Sequence, residues 1–118
     1  MSQIDQDVLD QVRALQRPGG PDILSRIITV FADQTPVSVE TILRAVEEKD
    51  FETVRTQAHS IKSSANYVGA LAFSKRMATL EKAARDEQAD VCEQLTVDLT
   101  DHCHRVVSEL LFLKDRAA

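Results

Sequence analysis

The sequence predicts an all-α fold: an antiparallel four-helix bundle with a short additional N-terminal helix. Three observations carry this. Apolar residues return every three or four positions in five separate segments. Only three glycines and three prolines occur in 118 residues, too few turn formers for an all-β chain. The connections between the long periodic stretches are short, which makes successive helices antiparallel neighbours.

The first helix spans about residues 5–16, with Val8, Val12 and Leu15 at helical spacing. It stops at Arg17-Pro18-Gly19-Gly20-Pro21, the clearest breaker in the chain, and caps one end of the bundle. The second covers about 22–48, with Asp22 as N-terminal cap. Its stripe is Leu24, Ile27, Ile28, Phe31, Val39, Ile42, Leu43 and Val46. Pro36 falls inside, and an interior proline breaks or kinks a helix. The stripe keeps its phase across Pro36, which predicts one kinked helix rather than two. Lys49-Asp50 is a short turn, with Asp50 as the next cap.

The third helix, about 51–68, carries Val54, Ala58, Ile61, Ala65 and Val68 on one face, and Gly69 stops it. The fourth, about 71–87, carries Phe73, Met77, Leu80 and Ala84. The fifth, about 89–115, carries Cys92, Leu95, Leu99, Cys103, Val106, Leu110 and Leu113. Residues 1–118 read as one domain, with 1–20 as capping helix and linker and 21–118 as the bundle. A stand-alone protein and a domain cut from a longer chain read alike at this level.

Aromatic residues make up 4% of the chain and Trp is absent, so the core is aliphatic. No apolar run approaches the ~18 residues of a membrane span, and Ser2-Gln3-Ile4-Asp5 has none of the character of a signal peptide. Cys92 and Cys103 on one helix would stand about three turns, roughly 16 Å, apart, too far for a disulfide. Both are expected to be reduced and the protein to be cytoplasmic.

The net charge is −5, but residues 51–85 hold six basic residues (Arg55, Lys62, Lys75, Arg76, Lys82, Arg85) and two acidic ones (Glu52, Glu81). That segment is +4, leaving −9 for the rest. A basic region on an acidic protein argues against general nucleic-acid binding. It suits an acidic partner surface or a phosphoryl group, or is simply a set of solvated helix faces.

His59 is the residue of chemical interest. At about 100° per residue, Lys62, Ser63 and Asn66 lie within roughly 60° of it around the helix, and the apolar stripe lies opposite. An exposed imidazole is a competent nucleophile near pH 7. An ammonium one turn away can neutralise a phosphoryl group attached to it. If the chain reverses near Gly69-Ala70, residues whose numbers sum to about 140 share a height on the two helices, which sets Glu81 beside His59. Glu81 then either accepts a proton from His59 Nδ1, leaving Nε2 to attack phosphorus, or is an ordinary rim carboxylate.

The string Ala58-His59-Ser60-Ile61-Lys62-Ser63-Ser64-Ala65-Asn66-Tyr67-Val68-Gly69-Ala70 resembles the signature of histidine-containing phosphotransfer (HPt) domains of bacterial two-component phosphorelays. Leu80-Glu81 resembles the family's downstream Leu-Glu pair, and Phe31, Pro36 and Leu43 to Asp50 fit its pattern upstream. The resemblance covers about residues 22–86 by motif. It implies a four-helix bundle, a phosphoacceptor at His59 assisted by Lys62, and receiver domains of response regulators or of a hybrid sensor kinase as partners. Ser63, Asn66, Arg55, Lys82 and Arg85 would form the docking surface, and Gly69 would be structural. Ser63 departs from the family, which often has Gly there, but it remains small.

The implied function is a relay from one receiver aspartate to another through His59, without ATP binding or autokinase activity. No intrinsic cofactor is expected, Mg²⁺ coming from the receiver, and the carrier is expected to be a monomer that binds neither nucleic acid nor membrane. The alternative is a helical interaction module without phosphotransfer. A dimerising histidine domain of a kinase fits less well, because His59 is not followed by that family's Glu and Pro pattern. His102-Cys103-His104 lacks a second close Cys/His pair, so zinc is not expected. Ser63-Ser64 has no activating constellation, and no Gly-rich phosphate loop is present.

Overall fold

A computed structural model describes residues 2–17, 19, 20 and 22–116, with the side chain of Arg116 left aside. Pro18 and Pro21 of the expected breaker lie outside the described residues, which contain six helices and no strand.

Helix α1 is Gln6–Ala14, and the Asp5 carboxylate accepts from Asp7 N at 2.9 Å to cap it. The expected inward face is only partly right. Leu9 is the fully buried residue of this helix, and Val12 is half-buried against the core. Leu15 sits past the last turn and is 79% exposed. A helix this short turns one narrow face inward, and the Leu9 side wins.

Helix α2, Ile23–Glu47, runs through Pro36 without interruption. Asp22 caps it by accepting from Ser25 N at 3.0 Å, and Gln16 Oε1 takes the N–H of Leu24 at 2.8 Å. Pro36 removes one backbone donor, but burial of Leu24, Ile28, Phe31, Val39, Ile42 and Val46 holds both halves on one core. Lys49, at φ 58°, turns the chain, and Asp50 caps α3 through Thr53 N at 3.2 Å.

Helices α3, Phe51–Tyr67, and α4, Leu71–Arg85, form the most closely associated pair. All five expected core residues of the third helix and all four of the fourth are buried. Gly69 between them has φ +77°, and a Cβ there would lie 2.7 Å from Asp5 O. Both the left-handed turn and the close approach exclude a side chain. Asp5 N donates to Gly69 O at 2.8 Å, so the N-terminal segment closes this end of the bundle.

The single fifth helix is corrected to two, α5 (Ala89–Leu95) and α6 (Leu99–Arg116). No glycine or proline marks the break. Instead, a side chain from another helix takes a carbonyl that a continuous helix would use. Arg76, reaching over from α4, donates to Leu95 O from Nε and Nη2 at 2.9 and 2.7 Å. Helix α2 packs on α3 and α6, and α4 on α3 and α5, closing the four-helix bundle around an aliphatic core. Among the described residues no helix is long and apolar enough to cross a membrane.

Candidate functional site

Helix α3 directs its apolar stripe at α2 and α4, which leaves His59 on the outer face with 59% of its side chain exposed. The Gly69 turn folds α4 back beside it and brings Glu81 to the same height. His59 Nδ1 lies 2.8 Å from Glu81 Oε2, and Lys62 Nζ donates to Glu81 Oε1 at 2.8 Å. One carboxylate thus holds both groups, one on each oxygen. Glu81 is the least exposed of the three, at 22% against 30% for Lys62. The Lys62 ammonium holds the Glu81 carboxyl below its ordinary range, and His59 adds to this against the opposing effect of partial burial. An ionised carboxylate only accepts hydrogen bonds, so Nδ1 of His59 is the donor. In the neutral imidazole this leaves the lone pair on Nε2.

Ser63 and Asn66 are exposed on the same helix face as His59. Arg55, Lys82, Arg85 and Arg76 do not join the trio. Arg55 is bonded to Glu52 at 2.7 Å on its own helix. Lys82 and Arg85 stand exposed on α4, Arg85 lying 3.7 Å from Asp86. Arg76 leaves this surface altogether. It binds Asp98 at 2.7 Å and His102 Nδ1 at 3.1 Å, so the +4 segment is not one continuous patch.

Two features escape a reading of the sequence. Buried Ser74 donates from Oγ to the backbone carbonyl of Lys62 at 2.8 Å, pinning α4 to α3 within a turn of His59. A hydroxyl next to Phe73 on an apolar face was the available signal. The second is an open groove between α2 and α3, lined in part by Ile27, Val30, Ser60, Ser64 and Tyr67.

His102 and Cys103 are buried and His104 is exposed. Burial pushes the Cys103 thiol up to about 11 and raises that of Cys92, and both are free thiols. Among the described residues no group of three His, Cys, Asp or Glu side chains is placed to hold a metal ion.

A family model described as Hpt domain matches residues 26–109, which include the whole trio. No curated protein and no solved structure matches the chain.

Proposed function

The chain belongs to the Hpt domain family, phosphocarriers of two-component signalling that have no kinase domain, and we propose that His59 is its phosphoacceptor in a relay between receiver domains. The observation that supports this most is the Nδ1 contact to Glu81, which leaves Nε2 as the nucleophilic nitrogen. In this reading Nε2 attacks the phosphorus of a receiver's aspartyl phosphate. The new N–P bond forms as the P–O bond to the aspartate breaks, and the receiver keeps its carboxylate. The second transfer runs the same exchange in reverse onto another receiver's aspartate.

Lys62 lies one turn away and offsets the phosphoryl charge, while Glu81 orients the imidazole. In-line transfer of this kind depends mainly on positioning and electrostatics. Any Mg²⁺ belongs to the receiver. Ser63 and Asn66, with Arg55, Lys82 and Arg85 around them, form the docking face. Residues 1–118 act as one domain, the N-terminal segment closing the Gly69 end.

Incubation with a phosphorylated receiver should place an acid-labile label on His59. Label on His102 or His104 instead would sink the assignment. Ser63→Trp tests the docking face, because Ser63 is exposed and points away from the core. The variant should keep its helicity and lose transfer from a receiver. If acetyl phosphate labels wild-type His59, it should label Ser63→Trp too, since a small donor needs no docking surface. Normal exchange between Ser63→Trp and a receiver would move the docking face elsewhere.

A further inference from the structure

Helix α4 carries Glu81 to His59, and something must fix where along α3 it stops. The apolar contacts between the two helices are poorly suited to this, because apolar burial is non-directional. A slip of ~1 Å along the helix axis is enough to spoil the 2.8 Å contact between His59 Nδ1 and Glu81 Oε2. The trio therefore needs a directional bond between the helices.

Ser74 supplies one. Its Oγ donates to the backbone carbonyl of Lys62 at 2.8 Å, and the residue is 4% exposed. Other helical hydroxyls behave differently: those of Thr29, Thr41, Ser64 and Thr79 turn back onto carbonyls of their own helices. Ser74 and Glu81 stand seven residues apart on α4, so they project from nearly the same face, about 10 Å apart along it. Lys62 meets both. Its carbonyl takes the Ser74 hydroxyl, and its Nζ donates to Glu81 Oε1 at 2.8 Å. The other oxygen of that carboxylate holds His59. The two helices are thus tied at two heights through one lysine. The tie at Ser74 is buried and the tie at Glu81 is partly exposed. A hydrogen bond shielded from water is the stronger of two such ties, so it is the one that holds the register.

We propose that Ser74 is a positioning residue for His59. Through the Lys62 carbonyl it holds the α3–α4 register that sets Glu81 against Nδ1 and so keeps Nε2 free. Its effect on transfer rests on the phosphoacceptor reading of His59; its effect on the imidazole tautomer does not. Ser74 is buried, so it acts through Lys62 and Glu81 and leaves the docking face as it is.

Ser74→Ala removes one oxygen and puts a better helix former in its place, so the bundle folds. Nitrogen-15 spectra should show the Nδ1–H form of His59 less dominant than in wild type. Transfer from a receiver should slow by about 2- to 5-fold, as loss of one ordinary hydrogen bond would do, with receiver affinity unchanged. In a Glu81→Gln background the same change should add little, since both act on the imidazole through one carboxylate. Val106→Ala, a core truncation on α6, is the control. It should lower the urea midpoint at least as far and leave the tautomer balance alone. A wild-type balance in Ser74→Ala would overturn the proposal. So would an equal shift in Val106→Ala, which would make the effect one of general loosening, or full additivity with Glu81→Gln. A wild-type His59 that takes no label, beside a shifted tautomer in Ser74→Ala, would leave Ser74 positioning the ring and overturn the phosphoacceptor reading instead.

Discussion

His59 and His102 are the same side chain placed in opposite circumstances. His59 is largely exposed, and its Nδ1 is held by a carboxylate. His102 is buried, stacked edge-on against Phe73 at 4.9 Å between ring centroids, with both nitrogens engaged. Arg76 Nη1 lies 3.1 Å from its Nδ1, and Gln3 Oε1 lies 3.1 Å from its Nε2. A guanidinium can only donate, so Nδ1 of His102 accepts and Nε2 carries the proton. At His59 the neighbour is an acceptor and the proton sits on Nδ1. The pair teaches that the neighbour's sign, more than the imidazole, decides which nitrogen is free and whether it can do chemistry.

Exchanging their fates gives the largest expected effects. His59→Gln should keep its helicity and unfolding midpoint and accept no phosphoryl group. His102→Ala should still be labelled on His59, yet lose about 2–4 kcal/mol of stability in urea unfolding, from the cavity and the acceptor that Arg76 Nη1 loses. Label lost from His102→Ala protein that is still folded would break the division into a chemical and a structural histidine.

Two substitutions sharpen the His59 side. Lys62→Ala should slow transfer from a receiver by about 1–3 kcal/mol of barrier, or roughly 5- to 150-fold. Unchanged rates would make Lys62 an ordinary partner of Glu81. Glu81→Gln should cost only a few-fold. An amide oxygen can still accept from Nδ1, but its nitrogen cannot accept from Lys62. Nitrogen-15 spectra should show the Nδ1–H form of His59 less dominant in Glu81→Gln, and a tautomer balance identical to wild type would remove Glu81 from the orienting role.

The His59 surroundings were legible in the sequence because they rest on two regular operations. Helical spacing places Lys62, Ser63 and Asn66 beside His59, and reversal at Gly69 places Glu81 across from it. The cores of α2, α3 and α4 were legible for the same reason. The α5–α6 break was not, because Arg76 supplies it from some twenty residues away and no local breaker marks it. Leu15 misled because a short helix has too few apolar residues to fix its own phase. Ser74 escaped a search for inward-facing apolar residues because it is polar and inside.

The smallest expected effect is a pH dependence on the His102 side. Burial, with the nearby Arg76 and Arg105, holds the His102 imidazole below its usual 6.5, and Asp98 opposes this. The Gln3 side chain faces it from the N-terminal segment. The folded state therefore binds this proton less readily than the unfolded chain does. Stability from neutral His102 is complete above pH 6.5 and is lost as pH falls from there through the lowered folded value. Glu81, Asp50 and Asp98 are also shifted down, but their ordinary values are 4.5, 3.8 and 3.8, so their losses come in a separate, more acid window. His102→Asn offers an acceptor for Arg76 without a titrating ring. It should begin less stable at pH 7 and show a flatter stability profile as the pH falls below 6.5. If His102→Asn and wild type lose stability in parallel over that fall, the buried ring is not the group that senses the proton, and the contrast between the two histidines reduces to exposure alone.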